Sequence, residues 1–202
     1  LGNGAQPWKI PSLKDYPSIT PRVAKEGDDY KPYARDPETL ARMWALPGTK
    51  GLEHRIGGLE KVNVTGEISY QIMTDLRDAK VAKIADSIPQ QEIFGNQDGG
   101  DVLVVGWGGT YGHLYSVVRE LREEGKDVSL AHFNFINPLP KNTGEVLGKF
   151  KKIIVCELNL GQFAQYLRAK FPHYTYYQYN KVAGLPFTVV ELKEKITELL
   201  GK

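Results

Sequence analysis

The chain has few of the residues and patterns that mark several classes of protein. It contains one cysteine, Cys156, which excludes an internal disulfide and any cysteine-ligated cluster or structural zinc site within the chain. The net charge is only +2, too small to drive binding to nucleic acid or an anionic membrane. No apolar run approaches the roughly 20 residues that span a bilayer, and the N-terminus lacks the pattern of a signal peptide. We therefore expect a protein of the reducing cytoplasm that binds neither nucleic acid nor membranes.

Complete catalytic motifs are also missing. The sequence has no Walker motif and no G-x-S-x-G nucleophile elbow. It also lacks a G-D-G segment followed by two asparagines, an arrangement associated with magnesium and thiamine diphosphate. The chain begins at Leu1 without a methionine, so we expect it to be a piece of a longer protein. Its 41% hydrophobic residues are enough for a folded core.

Proline is concentrated at the start of the chain. Residues 1–50 hold seven of the twelve prolines. Because proline lacks a backbone N–H, this stretch is not expected to form long helices or central strands. Spaced aromatic residues, among them Trp8 and Trp44, favour an extended arm that lies on a folded surface. Within this arm, Asp36-Pro37-Glu38 predicts the start of a short helix that reaches about Trp44.

The next stretch predicts a hairpin and a helix. Two short β-like runs surround Thr65-Gly66, as in a hairpin. In residues 71–88 the apolar side chains fall on one side of an amphipathic helix, which Pro89 ends. A polar, glycine-rich loop follows. We therefore place the domain boundary near residue 90, with an extended arm and linker over residues 1–89 and a folded domain over residues 90–202.

Strand and helix patterns alternate in the second half of the chain. Strands are predicted over residues 102–106, 128–133, 152–157 and 174–179. Helices are predicted over about residues 110–124, 142–149 and 161–170. A last helix opens at the capping box Thr188–Glu191. This alternation predicts an α/β fold with a largely parallel sheet and helices on both faces.

A glycine-rich turn after the first of these strands is one candidate site. Glycines at a strand-to-helix turn let backbone N–H groups meet a phosphate, which makes Gly108, Gly109 and Thr110 candidate ligand-binding residues. The third glycine, Gly112, comes one residue late for the dinucleotide fingerprint, and no acidic residue ends the second strand. We favour a structural turn that packs the helix closely on the strand, with an anion or other polar ligand as the alternative.

A second candidate is the glycine-flanked loop that carries Glu53, His54 and Arg55. Consecutive residues rarely converge on one point, so this loop is an interaction surface as often as a binding site. His54 is equally well explained as a packing histidine that makes hydrogen bonds.

A third candidate follows the predicted strand 152–157. Glu157, Asn159 and Gln162 lie at the carboxyl end of that strand, where open α/β sheets place their ligands. An equal alternative is that Asn159 caps the next helix. Cys156, inside an apolar run, is expected to be a buried side chain rather than a nucleophile.

A family resemblance rests on six segments spread between residues 1 and 187. They read LGNGAQPWKIP, PGTKGLEHRIGGLEK, DVLVVGWGGTYG, NPLPKN, ELNLGQ and YNKVAGLPF. These segments resemble the C-terminal half of the alpha subunit of 2-oxoglutarate:ferredoxin oxidoreductase, in the 2-oxoacid:acceptor oxidoreductase family. The resemblance implies that residues from about 90 onward form a domain like the C-terminal domain of transketolase, and that residues 1–11 are the tail of a preceding pyrimidine-binding domain.

The resemblance also implies a parent enzyme. In that enzyme thiamine diphosphate, magnesium and an iron–sulfur cluster serve the conversion of 2-oxoglutarate and coenzyme A into succinyl-CoA, carbon dioxide and reduced ferredoxin. None of these cofactors is expected in this chain, which we expect to be a non-catalytic assembly domain. Its expected partners are the beta subunit and a second alpha subunit, with ferredoxin as the partner of the complex. Two alternatives are a free-standing, flavodoxin-like nucleotide- or anion-binding module and the same domain from a pyruvate or other 2-oxoacid oxidoreductase.

Overall fold

The computed structural model describes residue 12 and residues 21–53, 60–61 and 68–201. Contacts within the chain divide it into two compact units, Leu1–Lys80 and Val81–Lys202. The sequence-based boundary near residue 90 stays a prediction. No helix in the described ranges is both long and apolar enough to cross a bilayer.

The described part of the first unit is mostly irregular, which agrees with its proline content. Its backbone is held by isolated bridges, which join Val23 to Trp44 in parallel and Arg35 to Arg42 in antiparallel orientation. The second bridge shows that the chain reverses direction between residues 35 and 42.

The helix predicted to open at Asp36 is wrong. The Asp36 carboxylate accepts hydrogen bonds from the amides of Glu38 and Thr39 at 3.0 and 2.8 Å, as a helix cap would. Leu40, however, takes a positive φ of 57°, and the chain turns back. A left-handed residue ends the turn before further hydrogen bonds can offset the cost of helix nucleation.

Short strands and a helix lie next in the chain. Strands β1 (Glu60–Lys61) and β2 (Ile68–Ser69) pair antiparallel within the stretch predicted as a hairpin, and the Thr65-Gly66 turn lies outside the described residues. Helix α1 (Tyr70–Lys83) continues as a 3-10 turn over Ile84–Asp86.

The apolar side predicted for this helix is only partly buried. Met73 is 2% exposed, whereas Val81 and Ile84 are 40% and 48% exposed. Periodicity therefore identifies the helix, but it does not show that the whole apolar side is covered.

The second unit is built on a four-stranded parallel sheet. Its strands are β3 (Gly100–Trp107), β4 (Val128–Phe133), β5 (Phe150–Glu157) and β6 (Tyr176–Asn180). They lie in the order β4-β3-β5-β6, and every neighbouring pair is parallel. Residues 102–105 of β3 are all fully buried, because both faces of this central strand are covered.

Four helices cover the sheet. They are α2 (Tyr111–Glu123), α3 (Thr143–Gly148), α4 (Gln162–Lys170) and α5 (Val189–Leu200). Helices α2 and α5 pack on the face that carries Val102 and Val104, and α3 and α4 pack on the face that carries Leu103 and Val105. The predicted α/β class, with a parallel sheet and helices on both faces, is confirmed. The capping box at Thr188 and Glu191 opens α5 as predicted.

The topology creates a crevice between β3 and β5. These strands are neighbours, but α2 leads from β3 to β4 on one side of the pair, whereas α4 leads from β5 to β6 on the other side and across the opposite face of the sheet. The two connections therefore diverge at the carboxyl ends of β3 and β5, the position where open α/β sheets bind ligands.

Candidate functional site

The crevice between β3 and β5 is filled by two side chains of the chain itself. Trp107 ends β3 and Glu157 ends β5. The indole Nε1 of Trp107 donates a hydrogen bond to Oε1 of Glu157 at 3.1 Å. The ring of Trp107 also packs edge-on against Phe163 of α4, with 6.4 Å between ring centroids. These contacts join the two strand ends across the position that a ligand would occupy.

Glu157 is a buried carboxylate, only 1% exposed. Besides the Trp107 indole, Oε1 accepts hydrogen bonds from the Phe163 amide at 2.9 Å and from Nδ2 of Asn159 at 3.1 Å. Oε2 accepts one from the Ala164 amide at 3.0 Å. All four donors are neutral N–H groups, and two of them are in the first turn of α4. The helix dipole and these donors stabilise the buried negative charge.

The position of Glu157 has a direct consequence for ligand binding. The N-terminus of a helix at the edge of an α/β sheet is a common site for phosphate, because its first amides are free donors. In α4 the amides of Phe163 and Ala164 already bind the Glu157 carboxylate. The chain thus supplies its own anion at this site.

Asn159 and Gln162, the other two residues predicted for this site, differ in their contacts. Oδ1 of Asn159 accepts hydrogen bonds from the amides of Gly161 and Gln162 at 2.7 and 3.3 Å, so Asn159 supports the turn that leads into α4. The N-cap of α4 is Gly161 and has no side-chain hydrogen bond, so Asn159 does not cap the helix as the alternative predicts. The Gln162 side chain is exposed. The structure therefore brings Glu157 and Asn159 together as supports of the helix.

The glycine-rich turn after β3 has a mainly structural geometry. A Cβ on Gly106 would lie 2.2 Å from Cδ1 of Leu114, so the close packing of α2 on β3 requires glycine there. Gly108 has a positive φ of 60°, and Gly108 and Gly109 are exposed with open space beside them. Thr110 is buried, and its hydroxyl donates to the Trp107 carbonyl at 2.8 Å.

A cleft of about 670 Å³ opens beside β4 instead. Its lining residues are Pro89, Gln90, Gln91, Glu92, Ile93, Phe94, Gly108, Tyr111, Leu130, His132, Asn134, Phe135 and Pro140. The stretch before β3 runs along the edge of β4, where Phe94 and Leu130 exchange two backbone hydrogen bonds of 2.8 Å. The side-chain amide of Gln91 continues this contact by donating to the His132 carbonyl at 3.0 Å.

His132 is a half-buried titratable group in this cleft, whose lining also includes Glu92 and Tyr111. Burial lowers the pKa of its ring, although the carbonyl groups of Gly108 and Trp107 favour the charged form. Nε2 is buried and makes no hydrogen bond of normal geometry within the described residues. Tyr111 packs edge-on against the ring, with 5.1 Å between centroids. Sequence reasoning missed this cleft, because a histidine near the end of an apolar strand is not by itself a signal of a binding site.

The remaining predicted site residues are Glu53, His54 and Arg55. Glu53 is exposed in the first unit, and His54 and Arg55 lie outside the described residues. Their role stays a prediction.

The described residues do not fit the cofactors that the resemblance implies for a parent enzyme. Burial, together with the neighbouring Glu157 charge, raises the pKa of the Cys156 thiol, whereas ligation of an iron–sulfur cluster requires a thiolate. No group of three or more acidic, histidine or cysteine side chains in the described ranges is placed to hold a metal ion. A diphosphate at the start of α4 would face the Glu157 carboxylate. We therefore derive no chemical step through these groups in this chain.

Known proteins match both the sequence and the fold. Residues 100–194 match the family model described as pyruvate:ferredoxin oxidoreductase core domain II. The chain is 43% identical over 206 residues to the 2-oxoglutarate oxidoreductase subunit KorA of Mycobacterium tuberculosis. This alignment covers 100% of this chain and 31% of that protein. It is 30% identical over 129 residues to the 2-oxoacid:ferredoxin oxidoreductase 1 subunit alpha of Aeropyrum pernix. That alignment covers 60% of this chain and 20% of the relative.

A solved structure agrees with these matches. The 2-oxoglutarate:ferredoxin oxidoreductase from Magnetococcus marinus, solved with 2-oxoglutarate, coenzyme A and succinyl-CoA bound, superposes with a TM-score of 0.79 at 26% identity. The match covers 94% of this chain and 34% of that chain. This chain belongs to the 2-oxoacid:ferredoxin oxidoreductase family. Within that family, residues 100–194 correspond to core domain II, and the chain spans 31% and 20% of the two curated relatives.

Proposed function

We propose that this chain serves as a non-catalytic assembly domain in the alpha subunit of a 2-oxoglutarate:ferredoxin oxidoreductase. The complete enzyme would convert 2-oxoglutarate and coenzyme A into succinyl-CoA and carbon dioxide and pass the electrons to ferredoxin. The choice of 2-oxoglutarate is supported by the names of the Mycobacterium tuberculosis relative and of the Magnetococcus marinus structure. A non-catalytic role is supported chiefly by Glu157, a side chain of the domain itself that fills the crevice between β3 and β5.

The filled crevice argues against a free-standing nucleotide-binding module. Such a module needs free donors at the carboxyl edge of its sheet. Here the Phe163 and Ala164 amides bind Glu157, and the Thr110 hydroxyl binds the Trp107 carbonyl. The turn at Gly108 and Gly109 is open, but it contains no basic side chain to hold a phosphate.

The names of the relatives, which are subunits of larger enzymes, support the proposal that this chain has partner subunits. We propose the beta subunit and a second alpha subunit as permanent partners, and ferredoxin as the electron acceptor of the complex. Thiamine diphosphate, magnesium and the iron–sulfur cluster would be held elsewhere in that complex. Its location would be the cytoplasm, where a single reduced cysteine is ordinary.

Turnover and ligand binding by the purified 202-residue chain test this function. With 2-oxoglutarate, coenzyme A, thiamine diphosphate, magnesium and a viologen dye, we expect no dye reduction above the blank, while a complete 2-oxoglutarate:ferredoxin oxidoreductase provides the positive control. Calorimetric titration with ADP, flavin mononucleotide and coenzyme A should give no saturable heat. Turnover by the isolated chain, or saturable binding of any of the three ligands, would contradict the proposal.

A further inference from the structure

The cleft beside β4 opens because the chain that runs along this edge strand diverges from it. The backbones of Phe94 and Leu130 are joined by hydrogen bonds. Three residues earlier, the backbone of Gln91 pairs with the Asn142 side chain instead, through bonds of 2.8 Å to Oδ1 and 2.9 Å from Nδ2. Only the side chain of Gln91 still reaches β4, at the His132 carbonyl. The opening is therefore fixed by hydrogen bonds on both of its sides.

The cleft contains a carboxylate and no basic side chain. Glu92 is the acidic residue of its lining, which includes neither lysine nor arginine. Glu92 is exposed, and within the described ranges its carboxylate takes part in no ion pair. The lysine that follows the lining residue Pro140 in the chain, Lys141, is paired with Asp86. The described part of the chain therefore leaves the negative charge of this cleft without a partner.

Exposed aromatic rings line the same cleft. Tyr111 is 51% exposed and Phe135 is 39% exposed. The Tyr111 ring is held by two others, since its centroid lies 5.7 Å from that of Tyr115 and 5.1 Å from that of His132. The face of an aromatic ring attracts a cation, most often an arginine guanidinium. A ring that is already held in place loses little freedom when it makes such a contact.

His132 adds a neutral polar group. Its Nε2 is buried, and the neighbouring Cδ2 would lie 3.6 Å from a Cβ on Gly106. This edge of the ring faces the end of β3, so the opposite edge, which carries Nδ1, is the one that lines the cleft. Burial lowers the pKa of the ring, so it does not repel a cation at pH 7. With the proton of the neutral ring on Nε2, Nδ1 is a hydrogen-bond acceptor.

We propose that this cleft binds the guanidinium group of an arginine side chain that a partner protein presents. A guanidinium has five N–H donors, and the cleft offers it acceptors on Glu92, His132 and Asn134. Its plane also stacks on aromatic rings such as that of Tyr111. An anionic ligand would instead face Glu92 with no basic side chain to balance it. The volume of about 670 Å³ is that of a site for a drug-sized ligand, which leaves room for the residues that flank an arginine.

NMR titration of the ¹⁵N-labelled 202-residue chain tests this proposal. The probe is a pentapeptide with blocked ends and the sequence GGRGG. Its matched control carries citrulline in place of arginine, because citrulline has nearly the same shape and no charge. The arginine peptide should shift the amide signals of Glu92, Tyr111, His132 and Phe135 saturably, and the citrulline peptide should not.

Variants of the lining show which groups hold the peptide. Glu92→Gln should raise the dissociation constant of the arginine peptide about three- to fivefold, the effect expected for an exposed ion pair. Tyr111→Leu should raise it about two- to fivefold through loss of the cation–π contact. Glu194→Gln is the matched control, since Glu194 is exposed on α5 outside the lining, and it should leave the constant unchanged. Circular dichroism checks that all three variants are folded.

A titration with n-butylguanidinium separates an arginine of a polypeptide from a free small cation. The peptide should bind more tightly, and equal affinity for both would overturn the assignment to a partner protein. Saturable binding of the citrulline peptide with the same affinity, shifts confined to residues outside the cleft, or an unchanged constant in Glu92→Gln would overturn the arginine site itself. None of these outcomes affects the turnover assay, so the proposed function would stand or fall separately.

Discussion

Replacing Glu157 by glutamine tests whether the filled crevice stabilises the domain. Glutamine keeps the shape of the side chain, but it is neutral and only its oxygen accepts hydrogen bonds. That oxygen can keep the donors that now reach Oε1, from Trp107 and Phe163. The NH₂ group would then face the Ala164 amide, which lies 3.0 Å from Oε2 in the native chain. One buried donor therefore loses its acceptor.

The magnitude follows from these contacts. A hydrogen bond to a charged group contributes about 1.5–3 kcal/mol, and a buried donor without a partner costs a similar amount. Loss of the negative charge near the start of α4 removes a further contribution of about 0.3–1 kcal/mol. We expect Glu157→Gln to lower the free energy of unfolding by about 3 kcal/mol, which for a chain of this length lowers Tm by roughly 6–12 °C.

Urea and thermal unfolding followed by circular dichroism measure this difference. Glu145→Gln is the matched control, because Glu145 lies in the first turn of α3 with its side chain 67% exposed and pairs with Lys149 at 3.0 Å. An exposed pair of this kind contributes less than about 1 kcal/mol. If both variants lose equally little stability, the Glu157 carboxylate does not hold α4 and Trp107 together, and the main support for a non-catalytic role is lost.

Three further predictions concern the packing, the thiol and the histidine. Gly106→Ala places a Cβ 2.2 Å from Leu114 Cδ1 and should cost about 1–3 kcal/mol of unfolding free energy, whereas Gly109→Ala, with no atom within 4 Å, should change it by less than about 0.5 kcal/mol. Because burial raises the pKa of the Cys156 thiol, a disulfide reagent should modify it only after the chain unfolds. Because burial lowers the pKa of His132, the unfolded chain binds a proton more readily below the ordinary pKa of 6.5. The stability present above that pH should therefore decline as the pH falls, and His132→Phe should reduce the decline.

Each of these predictions has a measurement that can contradict it. Urea titrations that give Gly106→Ala and Gly109→Ala the same stability would refute the close packing of α2 on β3. Fast reaction of the thiol in the folded chain would show that Cys156 is accessible. Equal pH dependence of unfolding in the wild type and in His132→Phe would show that this ring does not contribute to it.

The residues at the end of β5 show how far the candidate site could be predicted. The apolar strand pattern places Glu157 at the end of β5 and Asn159 just after it, so both lie at the carboxyl edge of the sheet, as the structure shows. The direction of the Glu157 carboxylate depends on Trp107, which is 50 residues away in the chain. A sequence pattern carries no information on that contact, so a residue predicted to line an open crevice proves to fill it.

Of the two helix starts predicted from capping residues, the one at Thr188 is confirmed and the one at Asp36 is wrong. Thr188 and Glu191 satisfy each other within one turn, and α5 then buries Leu192 and Ile196 against the sheet. Asp36 makes the same kind of local contact, but the residues after it gain no such burial and Leu40 reverses the chain. A local cap is therefore sufficient only where tertiary packing extends the helix.

The sequence by itself determined the alternation of strands and helices, the parallel sheet and the family, because hydrophobic periodicity, glycine turns and motif spacing are local properties of the chain. Tertiary structure alone decided that Glu157 and Trp107 close the crevice and that the cleft lies beside β4. Each of these features joins residues from different strands and loops, and their contacts exist only once the sheet has brought the strand ends together.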